Sequence, residues 1–139
     1  KADRIIYIIH NPNCKDFFIW HCKKDLWKAS YKRHLHGQRK PTAEFMKKCA
    51  EKGYPLCFHI LEEVHLTQVM AYRHVIAWSE FFYRNGYEPL TDGLTLYYMS
   101  EMHEYTQSVF DRIQNSAPTK LLSCETCLIE NCSYKKSLN

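Results

Sequence analysis

The chain has 139 residues and a formal net charge of +4, with 19 Lys and Arg against 15 Asp and Glu. This length is typical of one domain, and a hydrophobic fraction of 45% is enough for a packed core, which excludes an intrinsically disordered chain. The sequence has no low-complexity tract, no internal repeat, no apolar run of about 18 residues and no N-terminal signal pattern. We therefore expect a cytoplasmic protein that makes no contact with a membrane.

The first half of the chain predicts the order β-β-α-α-β. Residues 4–9 and 16–21 are apolar, β-prone runs that predict two strands of a hairpin. Residues 24–35 lack Gly and Pro and predict a basic helix, and Thr42 is a candidate N-cap for a second helix. The β-branched and apolar run at 56–64 predicts a third strand.

The second half predicts two helices and a tail. A helix that begins after Thr67 and ends near Arg84 is apolar over most of its surface, which is typical of a buried helix. Asp92-Gly93 predicts a turn, and a further helix is predicted from about Tyr98 to Gln114. The whole order predicts an α+β fold with a small, mostly antiparallel three-stranded sheet flanked by helices.

Two short strand motifs carry a resemblance to a known family. Ile5-Ile6-Tyr7 and Phe18-Ile19-Trp20 occupy the places of the two motifs that name the GIY-YIG nuclease domain, which this chain resembles from residue 4 to about 90. The resemblance implies a GIY-YIG-like domain at 1–92. The rest of the sequence predicts a C-terminal helix packed on it at 93–119 and a cysteine-containing tail at 120–139.

The resemblance also implies that most catalytic residues are missing. Cys22 stands at the place of a small hydroxyl residue, Leu26 at the leucine that opens the first helix, Ala29 or Ser30 at the catalytic arginine, and His34 at a frequent histidine. The stretch from Ala71 to Trp78 resembles the setting of the metal-binding glutamate, and that position falls on or near Val75. The vestigial catalytic positions are therefore Tyr7, Phe18 and His34.

An apolar side chain cannot bind Mg²⁺, which prefers carboxylate oxygen, and loss of the arginine removes a bidentate phosphate donor. Glu62 and Glu63 are the carboxylates that could replace the missing ligand, although nothing in the sequence indicates that they do.

Alternative interpretations make Tyr7 a half-buried strand residue and His34 an exposed helix residue. His59 and His74 are interpreted as core or surface residues rather than ligands.

A cluster of basic residues predicts nucleic-acid binding. It contains one acid, Asp25, and the following cations: Lys23, Lys24, Lys28, Lys32, Arg33, Arg39 and Lys40. Such a stretch can neutralise phosphates of DNA or RNA, and the alternative is a solvated helix face.

The seven cysteines favour a metal site over a disulfide framework, because their number is odd and no signal pattern precedes them. Cys124, Cys127 and Cys132 have the spacing C-x2-C-x4-C, which predicts a zinc site that needs a fourth ligand. The candidates for that ligand are Cys14, Cys49, Cys57 and His103. An iron–sulfur cluster and reduced thiols without metal are the alternatives.

Together these features predict a non-catalytic GIY-YIG-like domain, of bacterial or viral origin, that binds nucleic acid or a protein partner. A divergent metal-dependent endonuclease and a small zinc-binding accessory or regulatory protein are the alternatives. The sequence leaves enzymatic activity open and favours its absence.

Overall fold

The computed structural model describes residues 2–37, 40–54, 56–116, 122 and 127–129. Within these residues, four strands form one mixed sheet. The strands are β1 (Arg4–His10), β2 (Asp16–Lys23), β3 (Cys57–Val64) and β4 (Glu88–Pro89). Their order across the sheet is β3-β1-β2-β4. β1 is antiparallel to both of its neighbours, and β4 runs parallel to β2.

The predicted α+β class is confirmed, but the prediction of three strands was wrong. The additional strand, β4, has two residues and is held by two backbone hydrogen bonds, from Glu88 N to Lys15 O (2.9 Å) and from Leu90 N to Phe17 O (2.7 Å). A two-residue segment that contains proline has no alternation from which a strand can be predicted. Its edge position is where proline is tolerated in a sheet.

Five helices cover the sheet in the part of the chain that the structure describes. They are α1 (Trp27–Leu35), which follows a 3-10 turn at Lys24–Leu26, α2 (Lys40–Lys52), α3 (Gln68–Arg84), α4 (Gly93–Ser100) and α5 (Glu104–Ser116). The single helix predicted from Tyr98 to Gln114 is therefore two helices. Asp92 caps the first of them, because its side chain accepts a hydrogen bond from Thr95 N at 2.9 Å. Among the described residues, none of these helices has the length and apolar character required to cross a bilayer.

Helices pack on both faces of the sheet. Successive side chains of a strand point to opposite faces, so the apolar side chains of β1 pack into two hydrophobic cores, one on each face of the sheet. On one side, here called the α3 face, Ile6 and Ile8 pack with residues of α3 and α5. On the other side, the α1 face, Ile5, Tyr7 and Ile9 pack with residues of α1 and α2.

Candidate metal centre

Three potential metal ligands converge at one end of the β1–β3 pair. The side chains of His10, Cys57 and His59 place their ligand atoms within 4.8 Å of one another. Their relative exposures are 3%, 0% and 1%, so the cluster is closed to solvent.

The strand register explains this convergence. His10 lies directly opposite Cys57 in the antiparallel pair, and Ile8 lies opposite His59. Residues opposite each other point to the same side, as do residues two apart on one strand. All three donors therefore lie on the side of the sheet that carries Ile8, the α3 face.

The electrostatic setting keeps His10 in the form that binds metals. Burial lowers the pKa of His10 to about 3, and the nearby His59 shifts it in the same direction. The centroids of the two imidazole rings are 5.0 Å apart. At neutral pH the His10 ring is therefore uncharged, which is the state in which histidine ligates a metal ion.

In the part of the chain that the structure describes, a ring nitrogen of His10, Nε2, is buried without a hydrogen bond. A buried polar group in this state costs about 1–3 kcal/mol, so such positions call for an explanation. A metal ion bound at this nitrogen would remove the cost.

The donor set selects among metal ions. Two imidazoles and a thiol are ligand types of zinc and of copper, whereas Mg²⁺ and Ca²⁺ require oxygen ligands. With zinc–ligand bonds of about 2.0–2.3 Å, the ligand atoms of a tetrahedral site are roughly 3.3–3.8 Å apart. The spacing of up to 4.8 Å found here would have to contract by only about 1 Å, which rotamer adjustments supply.

Of the three tail cysteines, Cys127 is in the described part of the chain, whereas Cys124 and Cys132 lie outside it. Cys127 is 2% exposed and packs against Cys57, one of the four predicted partners of the tail. The other predicted partners lie elsewhere: Cys49 and Cys14 pack in the core of the α1 face, and His103 lines a cavity beside α3 and α4.

Sequence reasoning missed the two histidines of the cluster. His10 belongs to a His-Asn-Pro-Asn segment that predicts a turn, and His59 was interpreted as a core or surface residue. The Cys-x-His spacing of 57 and 59 was the usable signal, because alternate residues share a strand face. Predicting His10 as a ligand would have required the pairing register of β1 and β3, which cannot be read from the sequence.

The vestigial positions meet in the core of the α1 face. Tyr7 Oη lies 3.0 Å from His34 Nε2, and His34 Nδ1 lies 2.9 Å from Thr42 Oγ1. The ring of Phe18 lies 4.9 Å from that of His34. Tyr7 and His34 are both 0% exposed, so the alternatives of a half-buried tyrosine and an exposed histidine were wrong.

The residue at the predicted glutamate position, Val75, is not near Tyr7, Phe18 and His34. Val75 is buried among the residues of the α3 face, on the opposite side of the sheet from Tyr7. Ser30, one of the two residues at the arginine position, is buried. The structure therefore brings Tyr7, Phe18 and His34 together but does not bring Val75 to them.

Glu62 lies on the α3 face, where hydrogen bonds to neighbouring side chains hold its carboxylate. Its carboxylate accepts hydrogen bonds from His74 Nδ1 (2.9 Å), Trp78 Nε1 (3.0 Å) and an Arg112 guanidinium nitrogen (2.9 Å). Burial by itself raises the pKa of Glu62, but these donors and the charges of His74 and Arg112 outweigh it and lower the pKa to about 2. The other candidate carboxylate, Glu63, forms an ion pair with Lys24.

The basic cluster is exposed where the structure describes its side chains, at Lys23, Lys24, Lys28, Lys32 and Arg33. Lys40 begins α2, and Arg39 lies outside the described residues. Lys28 Nζ lies 5.8 Å from the centroid of the Trp27 ring. Trp27, Lys28, Tyr31 and Lys32 line one open groove of about 440 Å³.

Comparisons of the chain with protein-family models, curated proteins and solved structures gave no significant match. The resemblance to the GIY-YIG domain remains a prediction, carried by the strand order and the two strand motifs. The evidence for function therefore lies in the sites themselves, because a fold alone does not specify a function.

Proposed function

We propose that this domain is a non-catalytic, zinc-binding accessory or regulatory module whose metal is held by His10, Cys57 and His59. The convergence of these three buried nitrogen and sulfur donors carries the proposal. Zinc binding would fix the ends of β1 and β3 to each other, and the free energy of metal binding would add directly to folding.

Two observations support a structural role for the ion. A catalytic zinc keeps one coordination position open to water and substrate, whereas the donors here are at most 3% exposed. The position that resembles a catalytic tyrosine, Tyr7, is buried on the opposite face and is hydrogen-bonded to His34.

Zinc titration of the metal-free 139-residue chain tests this proposal. We expect one zinc ion per chain, with binding weakened more than about 100-fold in His10→Ala and Cys57→Ser, since loss of an outer-shell partner alone costs about 10–100-fold. Cys22→Ser and His65→Ala are the matched controls, because Cys22 packs with the opposite core and His65 is exposed. Equal affinity in all four variants would overturn the proposed ligand set.

A second function, binding of nucleic acid, is favoured by the groove beside α1. Its exposed Lys28 and Lys32 can contact phosphates, and the half-buried rings of Trp27 and Tyr31, which pack against Phe58, line the same groove. The combination of a basic groove with aromatic rings is typical of single-strand binding, and it favours nucleic acid over a protein partner.

Fluorescence anisotropy with a labelled single strand tests this second function. We expect weak, salt-sensitive binding that the double variant Lys28→Glu/Lys32→Glu abolishes for all sequences alike, because phosphate contacts carry no base information. The matched control is Lys47→Glu/Lys48→Glu, which makes the same charge change on α2, beside Glu44 and Glu51. Absence of binding at about 50 mM salt would reject this function and leave a protein partner for the groove.

A further inference from the structure

The three-residue cluster leaves one coordination position of a zinc ion unassigned. Structural zinc sites are almost always tetrahedral and closed by four protein ligands. His10, Cys57 and His59 supply three. A fourth donor must come from a residue that reaches the same end of the α3 face.

The segment 127–129 is held against the outer edge of β3. Leu128 N donates a hydrogen bond to Phe58 O at 2.8 Å, so this segment lies along the free edge of β3, the strand that carries two of the donors. Leu128 packs with the core of the α1 face, whereas Cys127 packs against Cys57 on the other side. Cys127 therefore lies beside Cys57, next to the cluster. Among the described residues, the ligand atoms within 4.8 Å of one another are those of His10, Cys57 and His59, so a rotamer change would bring the Cys127 Sγ to the ion.

Charge balance requires a second thiolate. Zn²⁺ bound by one thiolate and two neutral imidazoles leaves a net charge of +1 in a closed, nearly dry site, and burying an uncompensated charge is costly. A second thiolate makes the site neutral. Cys127 is 2% exposed and adjacent to Cys57, whereas Cys14, Cys22 and Cys49 pack on the opposite face.

We infer that Cys127 is the fourth zinc ligand, so that metal binding fastens the C-terminal segment onto the edge of β3. This inference rests on the proposed zinc function and adds the residue that closes the site. On binding, the thiols of Cys57 and Cys127 each lose one proton to solvent, and two S–Zn bonds replace the two S–H bonds. No oxidation or reduction takes place.

Cobalt substitution of the full chain tests the inference, because Co²⁺ occupies zinc sites and its thiolate charge-transfer absorption scales with the number of bound thiolates. We expect a tetrahedral spectrum for the unmodified chain, with the thiolate absorption about halved in Cys127→Ser and zinc affinity reduced more than about 100-fold. Zinc should also protect the amides of 127–129 from hydrogen exchange in the unmodified chain and not in Cys127→Ser.

The tail provides the matched controls, Cys124→Ser and Cys132→Ser. If cobalt binds with an unchanged spectrum in Cys127→Ser, or if Cys124→Ser or Cys132→Ser removes the thiolate signal instead, the assignment of Cys127 is wrong while the three-residue site stands. If the unmodified chain binds neither Zn²⁺ nor Co²⁺, the proposed function itself fails, and this assignment fails with it.

Discussion

At the scale of single residues, one hydrogen-bond network on each face of the sheet joins a strand to two helices. Glu62 joins β3 to α3 and α5 through His74, Trp78 and Arg112. The second network runs from Tyr7 through His34 to Thr42 and joins β1 to α1 and α2. Buried polar groups that are paired in this way help to specify one arrangement of the helices on the sheet.

The Glu62 network predicts a pH-dependent contribution to stability. The folded pKa of Glu62, about 2, lies below its ordinary value of 4.5, so the stabilisation is complete above pH 4.5 and is lost as the pH falls toward 2. The groups that face the carboxylate are His74, Trp78 and Arg112, with Tyr105 hydrogen-bonded to His74 at 2.7 Å. Glu62→Gln should lower the free energy of unfolding by about 1–3 kcal/mol at pH 7.

Urea denaturation of both proteins at pH 7 and pH 3 measures this effect, and the difference between them should shrink by more than half at pH 3. The control is Glu63→Gln on the same strand, where the pair with Lys24 is exposed and contributes about 0–1 kcal/mol. A difference between Glu62→Gln and the unmodified chain that is the same at both pH values would contradict the assigned pKa.

At the scale of secondary-structure elements, local sequence signals predicted which helices exist better than they predicted where each helix begins and ends. Thr67 caps α3 as predicted, since its side chain accepts a hydrogen bond from Met70 N at 3.2 Å, and the helix ends at Arg84. The break between α4 and α5 was missed, because no Gly or Pro marks residues 101–103 and their neighbours on both sides have helical spacing. The turn signal at Asp92-Gly93 proved to be a helix start.

The same limit applies to the candidate metal centre. The sequence pointed to the tail cysteines and named Cys57 among their partners, and the structure places Cys127 beside Cys57. His10 is separated from Cys57 by 47 positions, and only the register of β1 against β3 brings them together. Motif spacing therefore detects ligands that share a turn or a strand, and it does not detect ligands that meet across strands.

At the scale of the whole molecule, the sheet separates the predicted catalytic positions. Tyr7 and His34 are buried in the core on the α1 face, and Val75 is buried in the core on the α3 face. Phosphodiester cleavage by the metal-dependent chemistry that the GIY-YIG resemblance implies requires a metal ion and the phosphate to reach the same reactive groups. A domain that separates these positions is not expected to support that chemistry.

We therefore expect no cleavage of plasmid or single-stranded DNA with Mg²⁺ or Mn²⁺ at micromolar protein. Gel assays with the unmodified chain, Tyr7→Phe and the control Tyr83→Phe check this, because Tyr83 is 52% exposed on α3 and lies outside both networks. Cleavage that Tyr7→Phe abolishes and Tyr83→Phe preserves would restore the divergent nuclease as the better account.

The metal content of the chain shows whether this domain holds one zinc ion between β1, β3 and the segment 127–129. The protein should be purified without an affinity tag or added metal and analysed by inductively coupled plasma and native mass spectrometry. We expect about one zinc per chain, and its removal by a chelator should lower the Tm, because metal binding adds to the free energy of folding. A chain that carries no zinc, takes none up and melts at the same temperature with and without chelator would contradict this expectation.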